Sequence, residues 1–153
     1  MRVVVVGMGV QGAKRVTAAG ADVVATVDPV KDGVDYRQLA DVPHNSYDAA
    51  LLCIPDEAKI SLMTMLVREG KHFLVEKPVI ADDDADIRDI IDAAASTGAI
   101  CYTAYNHRFE PHFMRMKALI EDGDLGRIYA VRLFYGNGTA RLVRNSAWRD
   151  QGK

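Results

Sequence analysis

The sequence is poor in several residue types that would mark a function by themselves. Two cysteines stand among 153 residues, Cys53 and Cys101. Each lies inside an apolar run, where a thiol behaves as a small hydrophobe, so both are expected to be buried. The four histidines, His44, His72, His107 and His112, show no ligand spacing with either cysteine. His107 and His112 stand five apart, off one helical face, so no metal is expected. An excess of positive charge is also lacking: 19 Lys and Arg are scattered among 21 Asp and Glu, for a formal charge of -2. Without a basic stripe, no nucleic-acid partner is expected. Long apolar runs are missing too. After Met1-Arg2 comes only Val3 to Val6, too short for a signal peptide or a membrane span. The expectation is a cytoplasmic protein with no membrane partner. No internal repeat or low-complexity linker is present.

What is there fits a globular domain with a sizeable core, since 49% of residues are hydrophobic and 26% charged. Short β-branched runs alternate with helix-compatible stretches, which predicts an α/β fold, a doubly wound parallel sheet. The expected strands are Arg2 to Val6, Asp22 to Val27, Ala49 to Ile54, His72 to Val75 and Ile100 to Ala104. Most are nearly continuous in apolar residues, as parallel strands covered on both faces are. The expected helices are Gly12 to Ala19, Asp56 to Glu69 and Asp82 to Thr97, the last with Ile87, Ile90, Ile91 and Ala94 on one face. Its acidic start, Asp82, Asp83 and Asp84, reads as helix capping. Beyond Glu110 the pattern changes. A helix from about Pro111 to Glu121 ends at Gly123, and Arg127 to Tyr135 reads as a strand closed by Gly136-Asn137-Gly138. Asn137-Gly138-Thr139 has the spacing of a glycosylation site but reads as a turn.

The first strand runs into Gly7-Met8-Gly9-Val10-Gln11-Gly12, the spacing G-x-G-x-x-G, and a helix follows. In that pattern Gly7 permits a tight turn, Gly9 lets backbone approach a pyrophosphate, and Gly12 lets helix and strand pack closely. The helix start offers N–H groups and a positive dipole end to phosphates. Asp28, at the end of the second strand, lies 21 residues after Gly7, close to the ~20 expected for an acid that accepts the ribose hydroxyls. A carboxylate there repels a 2′-phosphate, so NAD is favoured over NADP, with Lys31 and Arg15 near enough in sequence to soften the preference.

With that fingerprint in place, three further runs become recognisable. They are Asp48-Ala49-Ala50-Leu51-Leu52-Cys53-Ile54-Pro55, Glu69-Gly70-Lys71-His72-Phe73-Leu74-Val75-Glu76-Lys77-Pro78, and Tyr105-Asn106-His107-Arg108-Phe109. Together they resemble the glucose–fructose oxidoreductase, inositol dehydrogenase and rhizopine-catabolism family (Gfo/Idh/MocA) over nearly the whole chain. The resemblance implies an N-terminal Rossmann domain joined to a C-terminal α/β domain that builds the substrate pocket and often an oligomer interface. It implies hydride transfer between a nicotinamide and a hydroxyl-bearing carbon of a sugar, cyclitol or similar polyol. On it, Lys77 is the lysine beside nicotinamide and substrate, and Glu76 and Pro78 shape that turn, commonly with a cis peptide before the proline. Ile54 and Pro55 would pack along the dinucleotide, Asn106 and Arg108 would face the cleft, and Trp148-Arg149 would reach over the nicotinamide. A lysine suits that place, because an ammonium can hydrogen-bond a hydroxyl and, if desolvated, take part in proton transfer.

Two departures from the family pattern stand out. Where the family usually has a histidine a few residues after Ile54-Pro55, this chain reads Asp56-Glu57-Ala58-Lys59. The family's Asp-x-Gly-x-His segment is expected some twenty residues after Trp148-Arg149, and the sequence stops at Lys153. The domain expectation is therefore an NAD-binding Rossmann domain over 1–122 and the start of an incomplete second domain over 123–153. The chain by itself is expected to be inactive. Arg127 to Tyr135, with Ile128, Val131 and Phe134 apolar, is expected to pair in a homo-oligomer or with a complementing chain. A non-catalytic NAD-binding or partner-docking module is the alternative.

Overall fold

The computed structural model of the chain describes residues 1–134. The chain divides after Arg108 into two units. The first is a five-stranded sheet built from β1 (Val3–Val6), β2 (Val23–Val27), β3 (Ala49–Leu52), β4 (His72–Val75) and β5 (Cys101–Thr103). Every pairing is parallel, and the order is β2-β1-β3-β4-β5. Parallel neighbours need crossovers; α1 (Val10–Ala19), α2 (Lys59–Arg68) and α3 (Asp84–Thr97) supply three of them. The doubly wound α/β expectation describes this unit.

Interior β1 is buried along its whole length. Alternation sends its valines to opposite faces. Val4 and Val6 join Ala50, Leu52, Phe73 and Val75 in the main core, under Met63, Leu66 and Val67 of α2 and Ile90 of α3. Val3, Val5 and Ala49 are buried outside that cluster. Leu52 and Leu66 have no exposed surface, so truncating either to alanine costs about 2–5 kcal/mol.

The observed elements are shorter than expected at several ends. Arg2 leaves β1 because its N–H donates to the Asp48 carboxylate at 2.9 Å. A single turn of 3-10 helix takes up Gly20–Asp22 before β2, and another takes up Asp56–Ala58 before α2. Conversely α1 begins at Val10, two residues earlier than expected, because Gly9 already accepts the first helical bond, from Ala13 N at 3.1 Å. The acidic start of α3 is a cap: the Asp83 side chain accepts from Ala85 N at 2.8 Å, and Gly98 closes the helix in the left-handed region. Ile91 departs from the predicted apolar face. It is 59% exposed, lining a shallow recess with Tyr102 and Thr103 of β5, where the sheet ends and leaves it no further strand to cover it. Cys53 and Cys101 are half-buried instead of buried, one just past the end of β3 and the other on an edge strand.

The second unit contains α4 (Pro111–Glu121), started by a proline in its first turn and followed by Gly123 at φ 76°. Proline suits that place because its missing N–H would have no partner there anyway. The strand expected from Arg127 is not formed over 127–134. Ile128, Tyr129, Val131, Leu133 and Phe134 are exposed. A strand needs a hydrogen-bonded neighbour, and among the described residues none pairs with this segment. Tyr135, Gly136, Asn137, Gly138 and Thr139 lie outside the described residues. Among the described residues no helix is long and apolar enough to cross a membrane.

Candidate functional site

Because the strands are parallel, all five end at one edge of the sheet, and the segments leaving them meet there. Gly7 to Gly12 follow β1, Asp28 follows β2, and Ile54-Pro55 lie just beyond β3. Glu76-Lys77-Pro78 follow β4, and Asn106 and Arg108 lie beyond β5. The chain first steps from β1 to β2 on one side, then returns to place β3 on the other. Such a reversal of strand order opens a crevice beyond the carboxyl ends of the strands. Here it falls between β1 and β3, beside the glycine run.

The three glycines do different work. Gly7 turns at φ 88°, and a Cβ on it would sit 2.3 Å from the Cys53 carbonyl oxygen. Its N–H donates to Val27 O at 2.8 Å, tying the loop to β2. A Cβ on Gly12 would lie 1.9 Å from the Gly7 carbonyl oxygen, so helix and loop touch without room for a side chain. Gly9 is opposite in kind: a Cβ there would meet no protein atom within 4 Å. Its φ of -74° is open to any residue. Nothing among the described residues requires a glycine at Gly9, whereas a group approaching from outside would. Next to it α1 begins with no side-chain cap, so N–H groups and the positive helix end face the opening. This arrangement fits a dinucleotide pyrophosphate.

Asp28 is held by three backbone donors. Oδ2 accepts from Met8 N at 2.7 Å, and Oδ1 accepts from Val30 N and Lys31 N, each at 2.9 Å. Burial pushes its carboxyl up, but these N–H groups and the Lys31 charge outweigh it and hold the group below its ordinary value. A carboxylate offers roughly four lone-pair positions. With three filled, one remains, on the oxygen that faces the glycine loop. Met8 thus ties the glycine loop to Asp28 through its N–H.

Residues 1–105 match the family model of the GFO/IDH/MocA oxidoreductases, described as an oxidoreductase family with an NAD-binding Rossmann fold. The chain belongs to that family. Inositol 2-dehydrogenase of Rhizobium meliloti is 31% identical over 86 residues, 56% of this chain and 26% of that protein. Inositol 2-dehydrogenase 1 of Saccharopolyspora erythraea is 30% identical over 158 residues, covering 92% of this chain and 47% of its own. Among solved structures, scyllo-inositol dehydrogenase of Lactobacillus casei with bound NAD(H) and scyllo-inositol superposes with a TM-score of 0.71 at 21% identity. That match covers 82% of this chain and 42% of the other, and at that identity it speaks for the fold. The chain spans less than half the length of these relatives.

At the Gfo/Idh/MocA lysine turn, the Lys77-Pro78 peptide is cis and Lys77 is exposed. Glu76, expected to shape that turn, is bonded to Arg15 of α1. Its Oε1 accepts from Arg15 Nε at 2.9 Å and Nη2 at 2.5 Å. Arg15 is thus drawn to the β4 turn, while the positive charge that acts on Asp28 is that of Lys31. Beside this pair, burial and the Glu76 charge push the Cys53 thiol up to about 11 against the opposing pull of Arg15, which leaves it protonated and unreactive at neutral pH.

Ile54 is half-buried and Pro55 exposed at the end of β3. Asn106 and Arg108 are exposed on the 3-10 turn Asn106–Phe109, with the Arg108 guanidinium 5.7 Å from the Tyr102 ring centre. Trp148 and Arg149 lie outside the described residues. In the segment where the family usually has its histidine, the structure places a buried lysine, Lys59, against the lysine turn. Sequence reasoning missed Lys59 and the role of Arg15. A cation at the first position of a helix, against the dipole, was the available signal for Lys59. Among the described residues no group of three or more His, Cys, Asp or Glu is placed to hold a metal ion.

Proposed function

We propose that this chain is the cofactor-binding half of an NAD-dependent dehydrogenase acting on a hydroxyl-bearing carbon of a sugar, cyclitol or similar polyol. The observation that carries the reading is the tie between the glycine loop and Asp28, with open space over Gly9 beside it. The inositol dehydrogenases among its relatives support the substrate class.

Gly9 and the first N–H groups of α1 would receive the pyrophosphate. Asp28 would accept one ribose hydroxyl and, by its charge, turn away a 2′-phosphate, which leaves NADP disfavoured. Ile54 and Pro55 would flank the dinucleotide, with Asn106 and Arg108 across the cleft. NAD, when bound, supplies the hydride acceptor. Lys77 would accept the hydrogen bond of the substrate hydroxyl through its nitrogen lone pair and take that proton as the hydride leaves the carbon for the nicotinamide. Glu76 serves by holding that turn through Arg15. Trp148 and Arg149 are proposed over the nicotinamide.

The same reading places an NAD-binding domain over 1–122 and the start of a substrate and oligomerisation domain over 123–153, in a cytoplasmic protein. The apolar residues of 127–134 support pairing of this segment with another chain, in a homo-oligomer or a complementing pair. Calorimetry of the full chain with NAD and NADP tests the cofactor reading. Tighter binding of NAD is expected, and equal affinities would remove the role given to Asp28. NADH formation from a polyol, assayed with the second domain supplied, separates an enzyme from a non-catalytic binding module.

A further inference from the structure

Lys59 is only 1% exposed. Lysine is almost never fully buried unless it is paired, and as the first residue of α2 this one also faces the positive end of its own helix. Both features disfavour it, so something at the site must compensate. Its ammonium donates to Asp56 Oδ1 at 2.6 Å and to the Pro78 carbonyl oxygen at 2.5 Å. Pro78 is the residue directly after Lys77.

The turn needs an outside hold. The hydrogen-bond ladder of β4 ends at Glu76, whose N–H donates to Leu52 O at 2.9 Å. Pro78 has no N–H with which to continue it. Past Glu76, the hydrogen bond that anchors the lysine turn among the described residues is the one from Lys59. The Asp56 carboxylate is 45% exposed; it pairs with the ammonium and aims it while the aliphatic stem lies out of water.

We propose that Lys59 is a positioning residue for Lys77, fixing the Pro78 carbonyl and with it the turn that presents the Lys77 side chain to the nicotinamide end of the site. The proposal rests on the reading that Lys77 acts there. Arg15 holds the same turn from the other side through Glu76, so two cations flank the segment and leave the Lys77 side chain out of their bonding.

The test uses the full chain and Lys59→Met, which keeps the length and apolar volume and removes the charge. Two ligands are titrated by calorimetry, NAD and ADP-ribose, the second lacking the nicotinamide. We expect NAD affinity to fall about tenfold, near 1.4 kcal/mol, with ADP-ribose affinity within about twofold of wild type. Amide order parameters of Lys77 and Val79 should drop from near 0.85 to below about 0.6, with Val4 and Leu52 unchanged. Equal loss of both ligands with Val4 and Leu52 loosened would show a role in stability alone and overturn the proposal; so would an unchanged order parameter at Lys77. A wild-type chain that binds neither ligand would sink the cofactor reading instead, and the order parameters would still decide the positioning. If Lys59→Met fails to fold, Asp56→Asn carries the same test, with a smaller effect of the same pattern.

Discussion

Arg15, in the helix that follows the glycine loop, gives two hydrogen bonds to one oxygen of Glu76, a residue 61 positions away at the end of β4. The pair is mostly buried, with side chains 24% and 14% exposed. It joins the segment proposed to hold the pyrophosphate to the turn proposed to act on the substrate.

Removing either partner leaves the other charge with no counter-ion in a place where water reaches it poorly. Arg15→Met and Glu76→Gln are each expected to lower stability by about 2 kcal/mol, the range for hydrogen bonds to charged groups. Urea denaturation measures this. In the double variant the losses should be well short of additive.

The glycines should separate folding from binding. Gly12→Ala forces a methyl onto the Gly7 carbonyl and is expected to cost at least 1–3 kcal/mol, roughly the penalty of overpacking. Gly9→Ala meets open space and is expected to leave stability within about 0.5 kcal/mol while weakening NAD binding at least tenfold. Melting curves beside NAD titrations distinguish the two, and a stable Gly9→Ala chain with full NAD affinity would place the pyrophosphate elsewhere.

Asp28→Ala should narrow the preference for NAD over NADP mainly by losing NAD. The variant gives up the hydroxyl acceptor and the repulsion of a 2′-phosphate together, and calorimetry with both cofactors reads the ratio. An unchanged ratio would show that the preference is set by other residues.

Acid should unfold the chain partly through carboxylates that folding holds deprotonated. Hydrogen bonds from the Arg2 side chain and N–H lower Asp48 from 3.8 to about 2. Bonds from Thr26 lower Asp35, and the three N–H groups lower Asp28 against the effect of burial. A depressed folded-state pKa adds stability that is complete above the unfolded value and fades as pH falls through the folded one. For Asp48 the loss is expected between about pH 4 and about pH 2. Asp48→Asn should flatten the stability curve in that window.

Much of this was legible in the sequence where the signal is local. Val3 to Val6 announced a strand buried on both faces, and the spacing from Gly7 to Asp28 announced a loop and an acid that the structure joins by a hydrogen bond. The Arg15–Glu76 pair was not legible, because no pattern within α1 indicates a partner 61 residues on. Lys59 was not legible either, because its partner, the Pro78 carbonyl, lies 19 residues on in another turn. Ile91 obeyed helical spacing and is still exposed, since periodicity gives a face and not the width of the sheet beneath it. The segment from Arg127 had the composition of a strand, yet pairing depends on a neighbour that composition cannot supply.

Asp28 is both the residue proposed to read the cofactor and a strut for the loop that receives it. A lineage moving from NAD to NADP could not simply exchange this aspartate for a small or basic residue. The N–H groups of Met8, Val30 and Lys31 would lose their shared acceptor, and the loop would loosen for either cofactor. A viable route would first install another acceptor for Met8, after which the carboxylate could be given up. On the role proposed for Asp28, preference for NAD is built into the same hydrogen bonds that shape the loop, and selection on one is selection on the other.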